Sequence, residues 1–266
     1  VTITESYYTS LYAGNGQNNV WLSSNEYAHA SFGYGNSTLT AWNNGFVSAW
    51  FAGGNNQVTL IDNDQSWVTT GDGTDEVTVI GEGRTYVSTG YGDDRYHGYG
   101  AVDATVFLGE GNDVAQSGDG MDFMFGEAGR DILSGGEGDD YLFGGSDNDA
   151  IFGGPGNNYL DGGDGSDLMG MKAGDTVYGG TGDDAFVFDA RYGTSGIVHV
   201  EDFRPYEGDY LDLSKLNIGR MDLFSMPDGT LVAQNEFAGI AIMFDGVNVE
   251  PNSPSIVVDD GFLLKG

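Results

Sequence analysis

Thirteen positions in the middle of the chain recur at intervals of eight to ten residues, and all but two of them are Asp. They are Asp75, Thr85, Asp94, Asp103, Asp113, Asp122, Asp131, Asp140, Asp149, Asn158, Asp167, Asp175 and Asp184. Glycine stands two positions before most of them, as at Gly73, Gly92, Gly111, Gly120, Gly129, Gly138, Gly156, Gly165 and Gly182. Two positions after, the residue is usually apolar, as at Val77, Tyr96, Met124, Leu133, Leu142, Ile151, Leu160 and Phe186. Repeated carboxylates beside glycine turns suit a hard divalent cation. Ca²⁺ takes about six to eight oxygen ligands and mixes carboxylates with backbone carbonyls, whereas Mg²⁺ demands a tighter octahedral site. One nine-residue unit cannot enclose such an ion. Two stacked units make it feasible, because units one coil apart align Asp113, Asp131, Asp149, Asp167 and Asp184 on one edge. Asp122, Asp140 and Asp175 align on the other, interrupted by Asn158.

The elements that must hold these columns follow from the same unit. Glycine permits the positive-φ turn, and alternation turns the apolar residue inward between two outward neighbours, so only about three residues of each unit can be strand. Two units close a flattened coil of about 18 residues, and successive coils stack as parallel strands. The predicted fold is all-β, a parallel β-roll or β-solenoid of stacked nonapeptide half-turns with a C-terminal β cap.

The units Gly135-Gly136-Glu137-Gly138-Asp139-Asp140-Tyr141-Leu142-Phe143 and Gly162-Gly163-Asp164-Gly165-Ser166-Asp167-Leu168-Met169-Gly170 resemble the calcium-binding nonapeptide of the RTX (repeats-in-toxin) family. The resemblance extends to the serralysin-type C-terminal roll. It implies ligation by Asp75, Asp94, Asp113, Asp122, Asp131, Asp140, Asp149, Asp167, Asp175 and Asp184. It also implies carbonyls from Gly109, Gly111, Gly118, Gly120, Gly129, Gly136, Gly138, Gly163, Gly165, Gly180 and Gly182. Several units depart from the pattern: Asp147 and Ala101 stand at glycine positions, Thr85 and Asn158 at ligand positions, and the Asp175 unit is one residue short.

Residues 71–188 are accordingly the calcium-binding roll. Upstream, residues 1–70 keep glycines and apolar positions around Gly14, Gly33 and Gly53 while losing the Asp. Two readings stand for this region: calcium-poor coils with Asn- and Ser-based turns, or a separate small β domain. Asn tolerates left-handed backbone, which makes the first physically reasonable. Residues 189–266 resemble the family's post-repeat cap, through Val198 to Phe203, Gly208 to Leu213, Ile240 to Val247, and Asp259 to Leu264. In that family the extreme C-terminus carries an uncleaved type I secretion signal. The implied address is extracellular, with the type I secretion apparatus as a partner.

Composition agrees with cations as partners. With 41 acidic and 9 basic residues the net charge is −32, which repels nucleic acid and anionic lipid. Without cations, aligned Asp columns would repel one another, so the calcium-free chain is expected to be largely disordered. There is no Cys, hence no disulfide or thiolate metal site, and no apolar run approaches a membrane span. No basic segment followed by an apolar stretch opens the sequence.

No catalytic module is apparent. His29, His97 and His199 are far apart, and neither His-Glu-x-x-His nor Gly-x-Ser-x-Gly occurs. One cluster around Arg84, Tyr86, Tyr91, Asp93, Arg95, Tyr96 and His97 has the groups for proton abstraction beside a uronate carboxylate. Arg95, Tyr96 and His97 are the weak catalytic alternative; in the simpler reading Arg95 and His97 decorate the surface around an inward Tyr96. Trp21, Trp42, Trp50 and Trp67 are expected in the core, with a glycan-binding face as the alternative. Threonines near Thr38 to Thr40 and Thr78 are not expected to form a ladder in register. Asp62-Asn63-Asp64 reads as a degenerate turn, lacking the Gly and Glu of an EF-hand loop. The function so implied is a secreted calcium-binding roll with a structural or interaction role, folded by extracellular Ca²⁺. An extracellular polysaccharide-binding or uronan-modifying protein is the alternative.

Overall fold

Short alternating stretches such as Asn19–Ser23, with Val20 and Leu22 buried and Trp21 exposed, become β-strands because every second side chain can leave water. In the computed structural model successive strands as far as Tyr210–Asp212 belong alternately to two sheets, which number 13 and 14 strands among the described residues. The structure describes residues 1–189 except 82 and 101, residues 191, 196–205 and 207–212, and the segments 222–225, 231–235, 240–244 and 256–257. Ala101, Leu213, the end of the Ile240 to Val247 segment and Asp259 to Leu264 lie outside the described residues. Among the described residues there is no α-helix.

Pairing in both sheets is parallel from Thr2–Thr4 through Gly196–Val200 and Tyr210–Asp212, so the first seventy residues belong to the same solenoid as the Asp-rich units. The coil length changes along it. Val20, Leu39, Val58, Val77, Tyr96 and Ala115 stack directly over one another with 19 residues per coil. From Ala115 through Leu133, Ile151 and Met169 the repeat is 18, and the step to Phe186 is 17. The expected 18-residue coil therefore holds only for the later part of the roll.

The physical reason is the turn that leads from the first sheet to the second. In the 19-residue coils it is tight, with a left-handed residue at Glu5, Ser24, Asn43, Asp62, Gly81 and Gly100. After the three-residue Thr2–Thr4, strands there run five residues in the first sheet, and those in the second run five to nine, as at Thr38–Trp42 and Phe46–Gly53. One such coil buries Leu39, Ala41, Val47, Ala49 and Phe51. In the 18-residue coils a glycine turn replaces the tight one, and the first-sheet strand shrinks to three residues, as at Ile132–Ser134. That coil buries Leu133 and Leu142 between the carboxylates of Asp131 and Asp140. Each fully buried Leu or Phe contributes about 1.5–3 kcal/mol, so the later coils have less apolar support.

At the C-terminal end Tyr210–Asp212 pairs with Ala185–Phe188, and Gly196–Val200 pairs in parallel with Ile240–Phe244. The antiparallel strands Leu231–Asn235 and Asp222–Ser225 then close the second sheet. Phe203 and Phe244 pack at 4.9 Å between ring centroids and cover the last apolar layer, next to Phe186.

Candidate metal centre

The turns from the second sheet to the first form one continuous edge. Backbone N–H groups donate in sequence to the side-chain oxygen one coil on: Ser37 to Asn56, then Asp75, Asp94, Asp113, Asp131, Asp149, Asp167, Asp184 and Asp209, at 2.6 to 3.1 Å. The opposite edge carries two shorter ladders. Ser6, Asn25, Asn44 and Asn63 make one. Ala104, Asp122, Asp140, Asn158 and Asp175 make the other. Glycine makes the turns possible: Gly129 has φ +117, and a Cβ there would overlap the Gly111 carbonyl of the coil above. Asp147 takes the same left-handed region at φ 77, so its unit keeps the turn without glycine.

One oxygen of each ladder Asp is thus used. Except at Asp175 and Asp209, the other is not. Oδ2 of Asp75, Asp94, Asp113, Asp131, Asp149, Asp167 and Asp184 on the long edge, and of Asp122 and Asp140 on the other, is buried with no hydrogen-bond partner. These side chains are at most 3% exposed, and an unpaired buried carboxylate is costly. Burial accordingly pushes their pKa values up from 3.8, to about 6 for Asp75, Asp122, Asp131 and Asp167. For Asp94, Asp113, Asp140, Asp149 and Asp184 the value is about 7, again mainly from burial.

Where Oδ2 of Asp131, Asp140, Asp149 and Asp167 points, carbonyls converge. A Cβ on Gly126 would meet both Asp131 Oδ2 and the Gly144 carbonyl oxygen; Gly135 stands likewise to Asp140 Oδ2 and Gly153, and Gly144 to Asp149 Oδ2 and Gly162. Each cradle is lined by one carboxylate oxygen and carbonyls, the donor set of a hard cation, and side-chain-free glycine leaves room for it. Among the described residues no group of three or more His, Cys, Asp or Glu side chains is placed to hold a metal. The ladder explains that: its acids lie one coil apart, and carbonyls supply the remaining oxygens.

The expected columns Asp113 to Asp184 and Asp122, Asp140, Asp175 are each brought together, and Asp75 and Asp94 extend the first. Glycines 109, 111, 129, 163, 165, 180 and 182 lie in the long-edge turns, and 118, 120, 136 and 138 in the other. Thr85 and Asp103 are not turn residues. Thr85 points inward from the strand Gly83–Tyr91 and Asp103 lies on the strand Val102–Glu110, because the tight turn upstream removes the second turn of each coil. Asn158 uses its amide where an Asp would be unpaired, donating to the Gly154 carbonyl at 3.0 Å. Asp175 also differs from its neighbours: Lys172 Nζ reaches its Oδ1 at 3.1 Å and the Lys172 N–H its Oδ2 at 2.8 Å. Sequence reasoning missed Lys172, Arg204 and Asp209. A lysine inside a repeat unit, in a chain with nine basic residues, was the available signal.

The proposed catalytic cluster does not assemble. Arg84, Tyr86 and Tyr91 belong to the second sheet and Arg95, Tyr96 and His97 to the first, so their outward side chains diverge. Tyr96 is fully buried, and burial raises its hydroxyl pKa far above the usual value, against any role as a base. The four tryptophans are not core: Trp21, Trp42, Trp50 and Trp67 are 47 to 57% exposed, because strand register places their parity outward. Trp67 stacks on Tyr86 at 4.4 Å. Thr40, Thr59 and Thr78 do stand in register, in a 19-residue period that a nine-residue frame cannot display. Asp62 at φ 49 opens a tight turn whose Asn63 accepts from Asn44.

Residues 99–133, 107–142, 134–169 and 168–190 match the RTX calcium-binding nonapeptide repeat, in four copies. No curated protein matches the chain. Among solved structures, the solution structure of the AlgE6R3 subunit from the Azotobacter vinelandii mannuronan C5-epimerase is similar at 25% identity. It covers 45% of this chain and 78% of that one, with a TM-score of 0.37.

Proposed function

We propose that this chain, whose residues 99–190 carry RTX calcium-binding nonapeptide repeats, is a secreted β-roll that extracellular Ca²⁺ folds for a structural or interaction role. The observation that carries the reading is the set of buried Asp Oδ2 atoms without partners, of which those of Asp131, Asp140, Asp149 and Asp167 face a glycine-lined cradle. Residues 1–70 are then calcium-poor coils, 71–188 the calcium-binding roll, and 189–266 a cap ending in a type I secretion signal. When bound, Ca²⁺ supplies the positive charge and coordination that the unpartnered carboxylate oxygens lack. The Asp side chains hold the stacked coils in register through Oδ1, and the glycines expose their carbonyls.

Mass action makes folding conditional: a site filled at one hundred times its Kd adds about 2.7 kcal/mol, and a ladder sums several such terms. The Asp-rich coils of a chain poor in calcium inside the cell stay unfolded, and those of a chain released into calcium-rich medium close. Calcium titration of the purified chain, followed by far-ultraviolet circular dichroism, tests this. A cooperative gain of strand signal with Ca²⁺ and not with equal Mg²⁺ is expected; a spectrum indifferent to chelator would refute it.

Outward aromatics favour a second reading, glycan binding. A groove of about 400 Å³ on the second sheet is lined by Gln65, Trp67, Arg84, Tyr86, Asp103 and Phe123, among others. Flat aromatic faces beside polar groups suit sugar rings. Titration with uronan and neutral oligosaccharides, with loss of binding in Trp67→Ala, supports it; equal binding by the variant removes it.

A further inference from the structure

Both Asp ladders end, at their C-terminal limit, on a basic side chain set among the turn oxygens. On the shorter ladder the last gap lies between the Asn158 and Asp175 turns. Lys172, 6% exposed, donates its Nζ to the Gly156 carbonyl, to the Ala173 carbonyl at 3.1 Å and to Asp175 Oδ1 at 3.1 Å. Its backbone N–H takes Asp175 Oδ2 at 2.8 Å. Both oxygens of Asp175 are thereby satisfied, whereas Oδ2 of Asp122 and of Asp140, on the coils above, has no partner.

On the long ladder the last gap lies between Asp184 and Asp209. Arg204 donates Nη1 to the Gly180 carbonyl, and its guanidinium stands 3.9 Å from Asp202 and 3.8 Å from Glu207. Its backbone N–H takes Asp209 Oδ2 at 2.6 Å. Gly156 and Gly180 are positive-φ turn glycines, one beside each of these gaps. On both edges a basic side chain reaches a turn carbonyl; Lys172 also reaches its ladder carboxylate through Nζ, whereas Arg204 reaches its own through the backbone N–H, and Asp184 Oδ2 in that gap keeps no partner.

We infer that Lys172 and Arg204 are tethered cations that take the place of Ca²⁺ in the final gap of each ladder. The inference rests on the calcium reading above. An ammonium or guanidinium supplies positive charge and donors to the oxygens an ion would otherwise join, and it is never lost to a chelator. The last coil is therefore docked without calcium. It presents a preformed carboxylate edge to the neighbouring gap.

The test is the number of ions bound by the full chain at saturating Ca²⁺, measured by equilibrium dialysis and elemental analysis. Arg204→Gln leaves Asp184, Asp202 and Asp209 around an open gap, and the double variant Lys172→Gly with Asn158→Asp restores the missing ligand to the other. Each is expected to bind one more ion per chain than the wild type, and Lys172→Arg to bind the same number as wild type. An unchanged count in variants that show the wild-type strand signal with calcium overturns the inference. Should a variant fail to fold, anomalous scattering from a calcium-grown wild-type crystal decides: no ion in the two terminal gaps supports it, and an ion in either contradicts it. A wild type that binds no calcium at all would instead defeat the reading on which it rests.

Discussion

The coils before Asp75 and those after Ala104 use one ladder geometry and satisfy it with opposite chemistry. In the early coils the ladder residue is Asn, and its amide does two jobs. Asn56 Oδ1 accepts from Ser37 N–H, while Nδ2 donates to the Gly54 and Thr70 carbonyls and to Asp75 Oδ1. Asn18 likewise donates to the carbonyls of Gly14 and Gly16. In the later coils Asp replaces Asn, the donor becomes a second acceptor, and the oxygen is left unpaired. A single change from NH₂ to O⁻ converts a self-sufficient turn into one that needs a cation. The early coils add a wider apolar core, and the later ones have exchanged it for carboxylates.

The sharpest way to separate the regions is through glycine. In Gly129→Ala the new Cβ meets the Gly111 carbonyl at φ +117, so the variant is expected to lose at least about 3 kcal/mol even with calcium bound. Gly14→Ala, with nothing within 4 Å, should change stability by under about 1 kcal/mol. Thermal unfolding at saturating Ca²⁺ reads both.

Exchanging the ladder residues should exchange the behaviour. Asn56→Asp removes three donated bonds and is expected to destabilise the calcium-free chain by about 1–3 kcal/mol. Asp131→Asn should stabilise that form, by giving its turn the amide Asn158 uses, while raising the calcium concentration needed for folding. Denaturant titration with and without chelator checks the pair; the same sign in both would break the comparison.

Acid should substitute in part for calcium, and only in the Asp coils. Their folded carboxyls titrate near 6 to 7 against an ordinary value of 3.8, so the roll binds more protons than the unfolded chain between those values. The resulting stabilisation is fully present below about pH 4 and is lost as pH rises through 6 to 7. Circular dichroism of the chelated chain should show strand signal growing as pH falls from 7.5 to 4. The smallest effect is expected at the surface: Trp67→Ala removes the stack on Tyr86 and should cost about 0.5–1.5 kcal/mol while leaving the calcium midpoint unchanged.

Much of this was legible from residues 109 to 184, because there glycine, acid and apolar residue repeat at nine and each maps to turn, ladder and core. The earlier coils were harder to read. Their second turn has no glycine pair, so a nine-residue frame drew Thr85 and Asp103 into a series of turn positions they do not occupy. The outward parity of Trp21, Trp42, Trp50 and Trp67 depends on where each tight turn begins, which composition does not reveal. Lys172 and Arg204 acquire their role only when coils 16 and 24 residues apart are stacked.

Residue-resolved hydrogen exchange of the full chain, in calcium and then in chelator, tests the contrast most directly. Protection of the strands from Val20 to Leu60 is predicted to survive chelation far better than that of the strands from Ala115 to Met169, which should fall to near the unfolded rate. Equal loss in both regions, or full retention in the Asp coils, would contradict the account.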